Sequence, residues 1–242
     1  MFSTTRGIVL HTNPYNDTYS IVHIYTELYG RSSYLVARRH KRKTRISNAH
    51  FMPLSILEME VEHHKTREIQ RMKEVRIDFP LTCIHAHPIK NTITLFLAEI
   101  LYRIIQTKEA DPKLFEYIYH SIRHLEILDQ GIANFHLVFM IHLTRHLGIY
   151  PNAESHNTPG SFFDLLNGVF LTHIPDHPHY LNKEESIIFS RLLRMNYENM
   201  ALYAFSRKDR TMIVQHILSY YRLHAIDFPE IKSHAVMQSL FD

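Results

Sequence analysis

The hydrophobic period changes once along this chain, near residue 80, and that change limits what it can fold into. Before it, apolar residues alternate or gather in short β-branched runs. After it, they recur at helical spacing. The alternation is sharpest at Leu57–Glu62, where Leu57, Met59 and Val61 interleave with Glu58, Glu60 and Glu62. On a strand this puts three apolar side chains toward a core and three carboxylates toward water. Arg6–Thr12 (RGIVLHT), Tyr19–Glu27 (YSIVHIYTE) and Arg31–Ala37 (RSSYLVA) read as three further strands, the last two joined by a short turn at Leu28–Gly30. Ile69–Asp78 is a weaker fifth, and 38–54 reads as a long loop. Five short strands with few long connections suggest a small closed barrel, because closure removes exposed edges.

From residue 80 the expectations are helical. Thr92–Thr107 is apolar nearly all round and predicts a buried helix. Asp111–Pro112 is a helix start, with an Asp N-cap and Pro in the first turn. The helix that follows carries Leu114, Ile118, Ile122 and Leu125 on one stripe. Ile132–Leu147 is another apolar helix, stopped by Gly148 and Pro151. Pro151–Gly160 is a polar loop. Phe162–Asn167 (FFDLLN) reads as a short helix closed by Gly168. Asn182 and Glu185 resemble a capping box for a helix reaching about Met195. Asp209 is expected to cap Thr211–Ala225, and a last short helix is expected over 233–240. The fold class expected is therefore α+β: a barrel domain over residues 1–80, then an α-helical domain over 81–242.

Charge narrows the function. Of 27 Lys/Arg, 8 lie in residues 1–45 against 2 acids, whereas the remainder of the chain is slightly acidic. Six of the eight residues in RRHKRKTR (38–45) are cations. Such a run can be a solvated loop, but mutual repulsion favours a polyanionic partner, most commonly nucleic acid. A five-stranded barrel with a basic loop is the layout of an OB-fold that binds single strands, using cations for phosphates and aromatic faces for bases. Tyr15, Tyr19, Tyr25, Tyr29 and Tyr34 fall within one hairpin region beside those cations, although core packing is the plain alternative for each. The candidate DNA-binding residues are Arg6, Arg31, Tyr34, Arg38, Arg39, Lys41, Arg42, Lys43 and Arg45. Nothing in 38–45 has base-reading geometry, so binding is expected to tolerate any sequence.

Other chemistry finds little support. There is no GxxxxGK[ST], GxGxxG, GxSxG or HExxH, and no apolar run reaches the roughly 18 residues that span a bilayer. Met1–Gly7 has no apolar signal core and reads as mature sequence. With one cysteine, Cys83, no disulfide framework is possible, and the compartment expected is the cytoplasm. Cys83 precedes His85 by two residues, but no third group orients them, so a buried inert thiol is expected. The histidine pairs His63–His64, His85/His87 and His177/His179 lack carboxylates at ligand spacing. No metal, cofactor or catalytic residue is expected.

Several segments together resemble the RecO family of bacterial DNA repair proteins. Arg6–Leu10, Tyr19–Val22, Tyr25–Gly30 and Leu35–Arg38 follow that family's N-terminal pattern. Leu143–Pro151 (LTRHLGIYP) is similar to its LLxxLGxxP segment, and Tyr220–His224, Ile231–Ser233 and Leu240–Phe241 to its C-terminal signature. The resemblance covers essentially the whole chain. It implies an OB-fold followed by a helical domain and a non-enzymatic recombination mediator that sits at the nucleoid. It also implies the partners: single- and double-stranded DNA, RecR, the RecA pathway and the acidic C-terminal tail of single-strand-binding protein (SSB). Arg123 and Arg145, each in an otherwise apolar helix, are the candidates for that tail, with snorkelling surface arginines as the alternative. Strand annealing needs a second basic surface, for which Arg191, Arg194, Arg207, Lys208 and Arg210 are the candidates. Many members carry a four-cysteine zinc module after LGxxP. Here Pro151–Gly160 has no cysteine, and His156, His173, His177 and His179 are not expected to replace it. The alternatives in view are an OB-fold RNA-binding protein and a histidine-based metal-dependent hydrolase.

Overall fold

The computed structural model describes residues 2–37, 48–152 and 160–233. The described residues divide into two compact units, one over 2–127 with 231–233 and one over 128–230.

The first unit is built on five strands, β1 (Phe2–Pro14), β2 (Tyr19–Thr26), β3 (Gly30–Ala37), β4 (Ile56–Glu62) and β5 (Ile69–Phe79). They close into a barrel in the order β1-β2-β3-β5-β4, with β1 antiparallel to both β2 and β4 and β3 parallel to β5. This is an OB-fold barrel, in the strand positions that the alternation indicates. Leu57, Met59 and Val61 are buried with Val9, Val22, Ile24, Tyr34, Val36 and Val75 in the barrel core. Each such side chain is worth about 1.5–3 kcal/mol of burial. Ile8, Val9 and Leu10 are all buried although they are consecutive. The register between β1 and β2 slips between Val9 and His11, a bulge at Leu10. A strand covered on both faces loses its alternation, which is why RGIVLHT reads as a plain apolar run.

Three helices complete this unit: α1 (Thr82–Ala86), α2 (Pro88–Ile104) and α3 (Pro112–Ile127). Asp111 caps α3, its Oδ1 accepting the Leu114 N–H at 3.0 Å. Secondary structure changes near residue 80, but the compact unit ends only after Ile127, because these helices pack on the barrel. Cys83 is a correction. It lies in α1, and its side chain is exposed, not buried. Its backbone N–H donates to the buried carboxylate of Glu126, which also accepts from Ile84 N–H and Thr82 Oγ1.

The second unit holds α4 (Ile132–His146), β6 (Phe162–Asp164), β7 (Val169–Leu171), β8 (Tyr180–Leu181), α5 (Lys183–Leu193) and α6 (Arg207–His224). The capping box of α5 is present, with Glu185 N–H donating to Asn182 and Asn182 N–H to Glu185. For α6 the expected cap is displaced. Ser206 is the N-cap and Asp209 the third helical residue of a capping box, so the helix starts four residues early. The short helix expected at FFDLLN is instead a hairpin of β6 and β7, in a three-stranded sheet of order β7-β6-β8. Asp164 decides this. Its Oδ1 accepts the N–H groups of Leu166 (2.8 Å) and Asn167 (3.0 Å), and its Oδ2 accepts the Asn167 amide (2.7 Å). An Asp-anchored turn ending in Asn-Gly reverses the chain, with Gly168 at φ +68°. Beyond Ser233 the expected last helix lies outside the described residues.

Asp164 is 1% exposed, and His177 Nε2 stands 3.3 Å from its Oδ2. Burial would raise its carboxyl, but the donors from Asn167 and Leu166 outweigh burial and hold it below the usual carboxylate range. The stability it gives is therefore whole above the unfolded value of about 3.9 and is lost as pH falls through the lower folded value. Replacing Asp164 by Ala should cost about 2–4 kcal/mol by removing three part-buried hydrogen bonds to a buried carboxylate. It should also remove part of the acid dependence below about pH 4. Chemical denaturation of both proteins across pH checks this; parallel curves would reject it.

Candidate nucleic-acid interface

The outer face of β2 and β3 is where an OB barrel offers strands and turns to an oligonucleotide. The pleat sends Val22, Ile24, Ser32, Tyr34 and Val36 inward, all buried, and leaves Tyr19, Ile21, Ser33 and Leu35 facing outward. The β1–β2 turn is tied by Asn16, whose Oδ1 accepts the N–H groups of Thr18 (2.9 Å) and Tyr19 (2.8 Å). That fixes two tyrosines at the tip: Tyr15 is 60% exposed and Tyr19 39%, with Leu35 at 38% beside them. Tyr19 pairs with Ala37, the residue from which the basic run departs, and Ile21 pairs with Leu35. The attachment point of that run therefore adjoins an exposed aromatic and apolar platform. Arg38, Arg39, Lys41, Arg42, Lys43 and Arg45 themselves lie outside the described residues.

The other end of the same face is roofed. The Tyr25 ring meets Phe115 at 6.0 Å, and Tyr102 covers His11 at 4.6 Å and His23 at 5.1 Å. Burial, then the charges of Arg31 and His11, push His23 down to about 4, so it is neutral near pH 7. Arg31 closes α2. Its Nη1 donates to the carbonyls of Tyr102 (3.0 Å) and Ile105 (2.9 Å) and to Gln106 Oε1 (2.7 Å). A cation suits a helix C-terminus. No carboxylate neutralises it among the described ion pairs, so its charge remains in the field of this face.

Two more of the sequence-predicted residues serve the fold. Tyr34 is 0% exposed in the barrel core, and no base can reach its ring. Arg6 is a clasp between β1 and α3. It donates Nε and Nη2 to the Glu27 carboxylate at 2.8 and 2.7 Å, reaches Glu116 as well, and lies over the rings of Phe115 (5.3 Å) and Tyr119 (4.7 Å). Its hydrogen bond to Glu27 raises the guanidinium's proton affinity and depresses the Glu27 carboxyl. A guanidinium held by two carboxylates has less charge to offer a phosphate.

On β4 the three outward glutamates are each paired with a basic side chain. Glu58 pairs with Arg76, Glu60 with Lys73 at 2.8 Å, and Glu62 with His64 at 3.1 Å. Arg123 lies 4.7 Å from the Phe79 ring centroid, and the exposed Arg145 lies 4.0 Å from that of Tyr150. In the second unit, Arg207 and Lys208 are exposed and Arg191 lies 5.0 Å from the Phe205 ring centroid. Arg194 is drawn back to Ser190 and Arg210 to the Phe205 carbonyl at 2.6 Å, so these two present less charge outward. Among the described residues no three His, Cys, Asp or Glu side chains converge to hold a metal ion. The sequence reading missed Tyr102, whose place on a mostly apolar helix gave no sign that it would cover two histidines.

Comparison with known proteins matches both units' sequences to one family. The family described as Recombination protein O N terminal matches residues 1–79, and Recombination protein O C terminal matches 85–229. A DNA repair protein RecO from Azobacteroides pseudotrichonymphae genomovar. CFP2 is 45% identical over 242 residues, all of both chains. Those of Phocaeicola vulgatus and Porphyromonas gingivalis are 42% and 34% identical, again over the full length of each chain.

The geometry separates binding from folding. Removing Tyr15 and Tyr19 together should weaken single-strand affinity by about 1–3 kcal/mol per stacked base and leave stability nearly unchanged. Tyr34→Ala should instead lower stability by about 3–5 kcal/mol. Anisotropy titration and denaturation of the same preparations read both; undiminished affinity in the Tyr15→Ala/Tyr19→Ala protein would remove the platform from the interface.

Proposed function

Because the chain belongs to the RecO family of DNA repair proteins, we propose that it acts as a recombination mediator that binds single- and double-stranded DNA and anneals complementary strands. With RecR it helps load RecA onto DNA covered by SSB. The observation that carries this reading is the tyrosine tip at the point where the basic run leaves the barrel. Sequence-tolerant single-strand binding needs this combination, stacking faces next to cations that track phosphates. The action is binding rather than bond-making, and it places the chain in the cytoplasm at the nucleoid. No helix among the described residues is long and apolar enough to cross a membrane.

Annealing has a physical account. Two strands repel through their phosphates, and one protein that neutralises both lowers the cost of their meeting. If the run at 38–45 contacts phosphates, neutralising Arg38, Arg39, Lys41, Arg42 and Lys43 together should weaken all sequences alike. It should also flatten the log–log salt slope by about 0.7 per lost contact to a single strand. Anisotropy across a salt series measures this, and an unaltered slope would reject the run as the phosphate track. An RNA strand of equal length, bound more tightly than DNA, would move the reading to RNA.

Arg123 and Arg145 each set a cation against an aromatic ring, which suits the acidic and apolar end of the SSB tail. Replacing the residue that holds the tail carboxylate by Ala should weaken a labelled tail peptide by about 1.5–3 kcal/mol. Full affinity in both single variants would exclude the pair.

A further inference from the structure

A cleft of about 680 Å³ opens in the barrel unit between β3, the β4–β5 connection at 63–68 and the segment 106–110. That is within the roughly 300–1,000 Å³ of clefts that take ligands. Its floor is rigid. Arg31 N–H donates to the Thr107 carbonyl at 3.0 Å, and a Cβ on Gly30 would stand 2.3 Å from the Glu109 carbonyl oxygen. Gly30 has φ +60°, so the backbones can close on one another only with glycine there.

The walls carry an excess of positive charge. Arg31, Lys65, Arg67 and Lys108 face Glu68 and Glu109. Lys65 and Lys108 are exposed and make no ion pair among the described residues, and Arg67 reaches its only described partner, Glu62, at 3.9 Å. One wall also holds a flat stack, Tyr29 on His63, with ring centroids 4.1 Å apart and planes 5° from parallel. Cations around an aromatic stack are the chemistry of a single nucleic-acid strand.

This cleft is not the tyrosine tip. Tyr19 pairs with Ala37 at one end of β2 and Tyr25 with Arg31 near the other. His23, the β2 residue that lines the cleft, lies four residues of strand from Tyr19, about 13 Å at ~3.3 Å per residue. The cleft reaches up this face as far as His23 and Ser33, and there Tyr102 lies against His23 and Phe115 against Tyr25, so no open aromatic face links the tip to the cleft.

We infer that the cleft is a second strand site: it takes the sugar–phosphate backbone of a second single strand while the tip and the basic run hold the first. The inference rests on the nucleic-acid reading above and deepens it, since it locates on one unit the two cationic tracks that annealing requires. Arg31 contributes field from a fixed position, and Lys65 and Lys108 contribute direct phosphate contacts.

The test uses the full chain with two non-complementary single strands, one labelled with a donor dye and one with an acceptor, and an annealing assay with complementary strands. Wild type should bring the two dyes together on the protein. Lys65→Glu/Lys108→Glu should keep first-strand affinity within about twofold, lose the energy transfer and anneal on the order of tenfold more slowly, as expected for lost phosphate contacts. Lys65→Gln/Lys108→Gln, which removes charge without reversing it, should fall between. Unchanged energy transfer and annealing in the reversed variant would overturn the second site. A loss of first-strand affinity in step with annealing would also overturn it, by showing one continuous track. Absence of single-strand binding by wild type would instead sink the nucleic-acid reading itself, and the inference with it.

Discussion

Strand β1 pairs along both edges, with β2 on one side and β4 on the other, and the remainder of the barrel unit follows from that. Double pairing closes the sheet and removes its edges. It also takes Gly7 into a place with no room, where a Cβ would meet Met59 Cε at 2.5 Å and Ile24 Cγ2 at 2.7 Å. The bulge at Leu10 lets one strand serve two partners whose directions diverge as the barrel curves. Because the outer side of β1 is then covered by α2, the first helices belong to the same compact unit as the barrel, and Arg6 on β1 becomes the clasp to α3.

That closure sorts the cations. Some are spent on the fold: Arg6 on two carboxylates, and Arg31 on the carbonyls that end α2. Others, Arg76 and Lys73, stand opposite the glutamates of β4 and cancel the acidic face that the alternation creates. Lys65 and Lys108 at the cleft face outward with no ion pair among the described residues, as do Arg71 and Lys113. A phosphate responds to net field, so the position of carboxylates matters as much as the number of cations. Local surplus in sequence identifies the barrel as the basic part, and tertiary pairing decides which basic residues can act.

The second unit meets a different demand. Its small sheet is tied to the helices by hydrogen bonds. Asp164 ties its turn, Tyr220 Oη donates to the Ile149 carbonyl at 2.9 Å, and His224 meets the Leu165 carbonyl at 2.8 Å. Gly168 lies against Tyr220, where a Cβ would stand 2.7 Å from its hydroxyl oxygen. These contacts join β6, β7 and α6 into one packed layer.

Period and charge alone determined the five strands, the helical remainder, the inward side of β4 and the basic character of the first half. Each depends on near neighbours in the chain, and pleat or helix geometry turns spacing directly into a face. The caps of α3 and α5 were legible for the same reason, as a side chain bonding three residues on. What only the tertiary structure decided depends on partners far away in sequence. Tyr34 and Tyr19 are the same residue type in neighbouring strands, yet one fills the core and the other faces out, because alternation does not say which side of a short polar strand is inside. Arg6 and Lys65 are both basic, yet one meets Glu116 from α3 and the other faces open cleft. FFDLLN has helical spacing, but a buried aspartate and an Asn-Gly step reversed it, since hydrogen bonds to three donors outweigh the weak propensity of six residues.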